Sequence, residues 1–173
     1  MALVGLISGW IVARFTSRRY QMDANVRLIQ NTIIAAQQTA ISRGIAVQVM
    51  FDASGSDGHR LRLLLDADDD GQASVNETVT YRPLSGAVFI APDSTINAAT
   101  PAYITGSGLV GGRPALQQAI RIGPNGTLGG DVVVYIGSAR NRPTEMRAVA
   151  ITGATARTAF WTRSSGHWTR REF

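Results

Sequence analysis

At 173 residues the chain is close to one ordinary domain and long enough to bury a core, which excludes a two-lobed enzyme with an interdomain cleft. All seventeen positive side chains are arginine, set against twelve carboxylates, and the absence of cysteine removes disulfides, thiolate catalysis, iron-sulfur clusters and cysteine zinc sites. An apolar share of 45% with 17% charged residues is that of a globular protein, and eighteen glycines point to many turns and short strands.

The chain opens on an uncharged run. Met1 to Ala13 hold no charge, and arginines follow at once, at Arg14, Arg18 and Arg19. Twelve apolar residues at about 1.5 Å each reach roughly 18 Å, against a hydrocarbon core of about 30 Å. The run lacks the basic start and small-residue cleavage site of a secretory signal. Gly5, Gly9 and Trp10 are nevertheless at home in a membrane helix, whereas the plainer reading is a buried N-terminal helix. Beyond Arg14, Phe15, Met22, Val26, Ile29, Ile33, Ala36 and Ala40 recur at three and four residues, while Arg18, Arg19, Asp23, Arg27, Gln30 and Gln37 take other faces. With Gly44 as a stop, this predicts one helix of roughly 60 Å. Its apolar first third and amphipathic remainder suggest a stalk rooted in a membrane or in a bundle of like helices.

After Gly44 the period changes to two. Ile45 to Phe51 and Arg60 to Leu65 make a hairpin across the turn DASGSDG. Further strands are predicted at Thr78 to Arg82, Ala87 to Ile90, Ala119 to Ile122, Val132 to Ile136, Met146 to Thr152 and Thr158 to Thr162, with Ala91 to Gln118 unassigned. Without βαβ spacing, the fold class is α+β, one long N-terminal helix (1–44) against a mainly antiparallel β-rich body (45–173).

One segment carries a sharp chemical pattern. Asp66 to Glu77, DADDDGQASVNE, has the spacing of a twelve-residue calcium loop. Asp66, Asp68 and Asp70 would supply carboxylate oxygens, Gly71 the sharp turn, Gln72 its carbonyl, Ser74 a water or hydroxyl contact, and Glu77 a bidentate pair. Strands rather than paired helices flank it, so the expected role is a structural Ca²⁺ stapling a hairpin. A solvated acidic connection binding no cation is the alternative. Weaker signals follow. GSGLVG from Gly106 to Gly111 matches a dinucleotide-binding spacing but sits in no βαβ unit and reads as a surface glycine loop. His59 and His167 read as solvated surface residues. Asp93, Asp131 and Glu145 occupy loop-like positions without an acid-base partner, and no catalytic motif is present, so no enzyme activity or small-molecule substrate is expected. Near the end, Arg157, Arg163, Arg170 and Arg171 interleave with Phe160, Trp161 and Trp168, a pairing that suits phosphate contact and base stacking, although an ordinary final strand with a solvated end is the favoured reading.

The apolar start, the stretch AAQQTAISRGIAVQVMF (Ala35 to Phe51), IGPNGTLGGDVVV (Ile122 to Val134) and the closing Val149 to Phe160 together resemble the GspH/FimT family of type II secretion pseudopilins and minor type IV pilins. The resemblance implies a minor structural subunit that joins other pilin or pseudopilin subunits and an inner-membrane assembly machinery. It implies a single-pass inner-membrane helix, with the body in the periplasm or on an extracellular filament. The helix would dock on neighbouring helices through Phe15, Met22, Val26, Ile29 and Ile33. A DNA-binding variant acting in DNA uptake would use Arg157, Arg163, Arg170, Arg171 and Trp168, with Gly153 and Arg157 a loose match to the glycine and arginines of such members. A tethered β-domain binding a protein partner is the other alternative. The family's basic leader, peptidase-site glycine, methylated phenylalanine and glutamate are not found, so Met1 to Ala13 resembles the later part of the hydrophobic segment, from a chain whose start is late or whose leader was removed.

Overall fold

The computed structural model describes residues 2–55, 58–90, 109–110, 113–114, 119–138, 143–153, 155, 157–164 and 166–171, with the side chains of its long helix from Arg18 onward. Helix α1 runs Ala2–Arg43, about 63 Å at 1.5 Å per residue. It stops at Gly44, whose φ of 64° is the left-handed turn that ends many helices. Strand β1 (Ala46–Gly55) follows at once and pairs with β2 (Gly58–Asp66). β3 (Val79–Pro83), β4 (Ala87–Phe89) and the short pair β5 (Leu109–Val110) and β6 (Arg113–Pro114) come next. β7 (Ala119–Ile122), β8 (Val132–Ser138), β9 (Arg147–Ile151), β10 (Thr158–Ser164) and β11 (His167–Arg171) complete the chain.

Two antiparallel sheets result, one ordered β3-β2-β1-β7 and one β11-β10-β9-β8-β4. This is the α+β class read from the sequence, a long N-terminal helix packed against an antiparallel body, in a generic pilin-like arrangement. The strand alternation decides which residues meet. Val47 and Val49 of β1, Ile122 of β7, Val134 and Ile136 of β8 and Val149 of β9 form one cluster with Met22, Val26, Ile29 and Ile33 of the helix. The intervening residues of the second sheet, Val133, Tyr135, Ala148, Ala150 and Trp161, form a smaller cluster on its other face.

Polar side chains fix the helix to both sheets. Asn25 donates to the Ser85 carbonyl at 2.8 Å and accepts from its amide at 3.0 Å, clamping the turn before β4. Gln30 donates to Thr158 Oγ1 of β10, and Gln37 to the Gly126 carbonyl in the turn before β8. Asp23 pairs with Arg147 of β9 at 2.7 Å, where the arginine side chain is only 5% exposed.

Two expectations are corrected here. No helix among the described residues is long and apolar enough to cross a membrane. The uncharged run ends at Arg14, and Arg18 and Arg19 follow within the same helix, so the single-pass inner-membrane helix and the membrane contact inferred from the resemblance are overturned. Met22, Val26, Ile29 and Ile33, assigned above to docking on neighbouring helices, are buried in this chain's own core at 0–1% exposure. Burying four such side chains contributes about 6 to 12 kcal/mol. A charge at any of them would unfold the body before it could report on docking. The side chain of Phe15 and most of Gly106 to Gly111 lie outside the described residues, as does Asp93.

A candidate cation-binding loop

The loop from Asp66 to Glu77 joins β2 to β3 and is closed at its base by the Leu65 amide on the Thr78 carbonyl at 3.0 Å. Asp66 is the last residue of β2, opposite Ala46 of β1, and is fully buried. Its Oδ2 accepts from Gln48 Nε2 at 2.6 Å and from the Gly71 amide at 3.1 Å. Its Oδ1 is buried with no hydrogen-bond partner. Leaving a buried acceptor unpaired costs about 1 to 3 kcal/mol, more when it is charged.

The next carboxylates turn back toward it. Asp68 Oδ1 accepts from the Asp70 amide at 3.3 Å, and Asp70 Oδ1 from the Gln72 amide at 2.7 Å, small turns of the kind aspartate makes with the backbone two residues on. Gly71 has φ 76°, a left-handed turn that favours glycine, and a Cβ there would press on Gln48 Nε2 at 3.1 Å. A carboxylate oxygen from each of Asp66, Asp68 and Asp70 lies within 4.8 Å of the others. Two oxygens bound to one Ca²⁺ at 2.3 to 2.6 Å can be at most about 5 Å apart, so this cluster could hold a divalent cation. Asp68 shows the crowding: the Asp70 amide pulls its carboxyl down, but desolvation and the charges of Asp70, Glu77 and Asp66 outweigh that and leave it above its ordinary value.

Asp69 points elsewhere. At φ 62° it turns out of the cluster and pairs with Arg121 of β7, whose Nε donates to Asp69 Oδ1 at 3.0 Å. That hydrogen bond holds the Asp69 carboxyl below its usual range. Glu77 is also outside the cluster. Its Oε1 accepts from the Ala67 amide at 2.8 Å and its Oε2 from the Ser74 amide at 2.9 Å, and the Ser74 amide is the foremost cause of its lowered pKa. Ser74 in turn accepts from the Glu77 amide at 3.2 Å. Gln72 and Ser74 are exposed.

Sequence reasoning therefore found the loop and missed two residues that position it. Gln48 is the one polar residue in the β1 run IAVQVMF, a usable signal, but nothing in the sequence links Arg121 to Asp69 across 52 positions.

The basic and aromatic tail does not form one surface. Arg163 is buried, with Nη1 3.2 Å from Met146 Sδ. Trp168 is half-buried and edge-on to Tyr135 at 5.7 Å between ring centroids, and Phe160 and Trp161 are in the core. Arg170 and Arg171 are exposed on β11, and Arg157 shares an open groove with Arg170 and Asp131. Phe160 packs in the main core, and Trp161 and Trp168 in the smaller cluster on the other face of the sheet, so the aromatics are spent on packing. Of the DNA-contact set Arg157, Arg163, Arg170, Arg171 and Trp168, Arg163 is buried and Trp168 is packed on Tyr135, while Arg157, Arg170 and Arg171 are exposed. Gly153 is a packing residue, since a Cβ there would lie 2.6 Å from the Gly130 carbonyl carbon. His59, read as solvated, is half-buried, accepts from the Phe89 amide at 3.0 Å through Nδ1, and packs against the Phe89 ring.

Comparison with protein-family models, with curated proteins and with solved structures finds no match.

Proposed function

We propose that this chain is a structural subunit, of the minor pilin or pseudopilin type, that assembles through the outward face of its long helix. The observation that carries this reading is a second stripe on α1. Tyr20, Ile34 and Ile41 are 70%, 42% and 55% exposed on the helix whose other face is committed to the core. Their numbers differ by fourteen and seven, whole heptads, and Arg27 fills the missing step. Ala24, Asn31, Ala35 and Gln38 flank them, also exposed. A seven-residue repeat of apolar side chains is the seam along which one helix packs on another, and small or amide neighbours permit close approach. No chemistry of turnover is invoked.

The experiment is a double substitution, Tyr20→Arg with Ile34→Arg, in cells that assemble the protein. The expected result is loss from the assembled fraction with the thermal midpoint of the purified chain held within a few degrees. Retention in the assembled fraction would contradict the proposal.

The cation suited to Asp66, Asp68 and Asp70 is, in this reading, calcium. The donors are all oxygen, with neither cysteine nor histidine in the loop, which suits a hard cation. It would satisfy the buried Asp66 oxygen and fasten the β2 to β3 connection of a chain without disulfides. Calorimetric titration with calcium tests it, and absence of binding at millimolar concentrations would remove it.

A further inference from the structure

The calcium spacing assigns a bidentate role to Glu77 and a water or hydroxyl contact to Ser74. The geometry divides the loop differently. In its first half, three carboxylates converge: one oxygen each of Asp66, Asp68 and Asp70 lies within 4.8 Å of the others, and Asp66, fully buried, has an Oδ1 with no hydrogen-bond partner. In its second half, Ser74 and Glu77 are bonded to one another. The Glu77 amide donates to the Ser74 carbonyl, the Ser74 amide donates to Glu77 Oε2, and Glu77 Oε1 reaches back to the Ala67 amide. Both oxygens that would chelate are thus occupied by backbone donors, and the amides they hold, of Ala67 and Ser74, belong to the two halves of the loop.

Resting on the calcium reading, we infer that the cation is held by Asp66, Asp68 and Asp70 from one side, with water and loop carbonyls completing its shell, and that Glu77 is a positioning residue that braces the loop. The charge arithmetic agrees. Asp69 is paired with Arg121, and both oxygens of Glu77 are engaged by backbone amides, so three carboxylates rather than five are free to face the ion. Calcium takes six to eight oxygens, and three single contacts leave at least half of that number to water and backbone, which places affinity at the weak end, about 10⁻⁴ to 10⁻³ M. Gln48 acts through Asp66, holding its Oδ2.

The test uses the full chain loaded with Eu³⁺, a hard cation of similar size, whose luminescence lifetimes in light and heavy water count the water molecules bound to it. Glu77→Gln is expected to leave that count unchanged while lowering the thermal midpoint measured in chelator, because the brace acts without the ion. Asp68→Ala is expected to raise the count by about one with the midpoint in chelator lowered less than in Glu77→Gln, since it relieves repulsion and removes only the one long contact to the Asp70 amide. A rise of about two waters in Glu77→Gln would overturn the inference and restore the bidentate role. Failure of the unsubstituted chain to bind Eu³⁺ or millimolar calcium would instead overturn the calcium reading beneath it.

Discussion

Asp66 is the residue on which the acidic loop turns, because its two oxygens have different fates. One is held by Gln48 and Gly71, and the other is buried with no donor of its own. A bound cation stabilises the folded chain by RT ln(1 + [L]/Kd), about 1.4 to 2.7 kcal/mol at 10 to 100 times Kd. For a chain of this size that is roughly 3 to 10 °C in thermal midpoint. Addition of 10 mM calcium is expected to produce such a rise in the unsubstituted chain and little or none in Asp70→Asn, as read by differential scanning fluorimetry. A second residue-scale prediction concerns His59. Burial holds its pKa below the ordinary 6.5, against the weaker upward pull of Asp52, and its Nδ1 accepts the Phe89 amide, which only the neutral ring can do. As pH falls the unfolded chain binds this proton first, so the stability His59 gives is full above about pH 6.5 and drains as pH drops through the lower folded value. Thermal midpoints measured from pH 7.5 to 5.5 should fall less steeply in His59→Gln than in the unsubstituted chain, and equal slopes would contradict the assignment. Neither residue was fully legible in the sequence. Asp66 was picked out by spacing, but that it is buried and that its partner is Gln48 depend on the register of β1 with β2. His59 follows a glycine in a turn, which read as solvent, and its contact with Phe89 spans thirty positions.

At the scale of the element, α1 has two faces with different duties. The inner one was legible as a three-and-four repeat, and Met22, Val26, Ile29, Ile33, Ala36 and Ala40 are all buried. What periodicity could not assign was the partner: the same apolar stripe would serve a neighbouring helix or the chain's own sheets, and the strands after Gly44 claim it. Gln30 and Gln37 were placed on other faces of the helix and Asn25 was not singled out, yet each of the three holds a different part of the body. Asp23 is the most consequential of them, because Arg147 is nearly buried and also donates to the Thr144 and Met146 carbonyls. Asp23→Ala is expected to cost about 2 kcal/mol by leaving that guanidinium without its counter-charge, measurable by urea denaturation. A loss below about 0.5 kcal/mol would show the pair to be no better than a surface one. Most strands fell where alternation put them, with ends displaced by a few residues. β11 was missed because HWTRR reads as a solvated tail, and its place as an edge strand beside β10 is a tertiary fact.

The whole molecule joins these parts along one axis. The helix is docked from Met22 to Ala40 across both sheets, and twenty helical residues, Ala2 to Gln21, precede that segment, about 30 Å of helix. The acidic loop lies at the opposite end of the docked segment, beside the start of β1 where the chain leaves the helix. Fold class was legible because it needed only a change of period at Gly44. The single-pass membrane placement rested on the resemblance and on the uncharged first residues, and arginines within the same helix overturn it. The central claim, that this is a structural subunit assembling through the outer face of α1, is tested most directly by single-cysteine cross-linking in a chain that has no cysteine of its own. Ile34→Cys, on the outer stripe, is predicted to cross-link to a second subunit in the assembled fraction, while Ile33→Cys, one residue away and fully buried, is predicted not to. Cross-linking equally absent at both positions, with both variants folded and assembled, would contradict it.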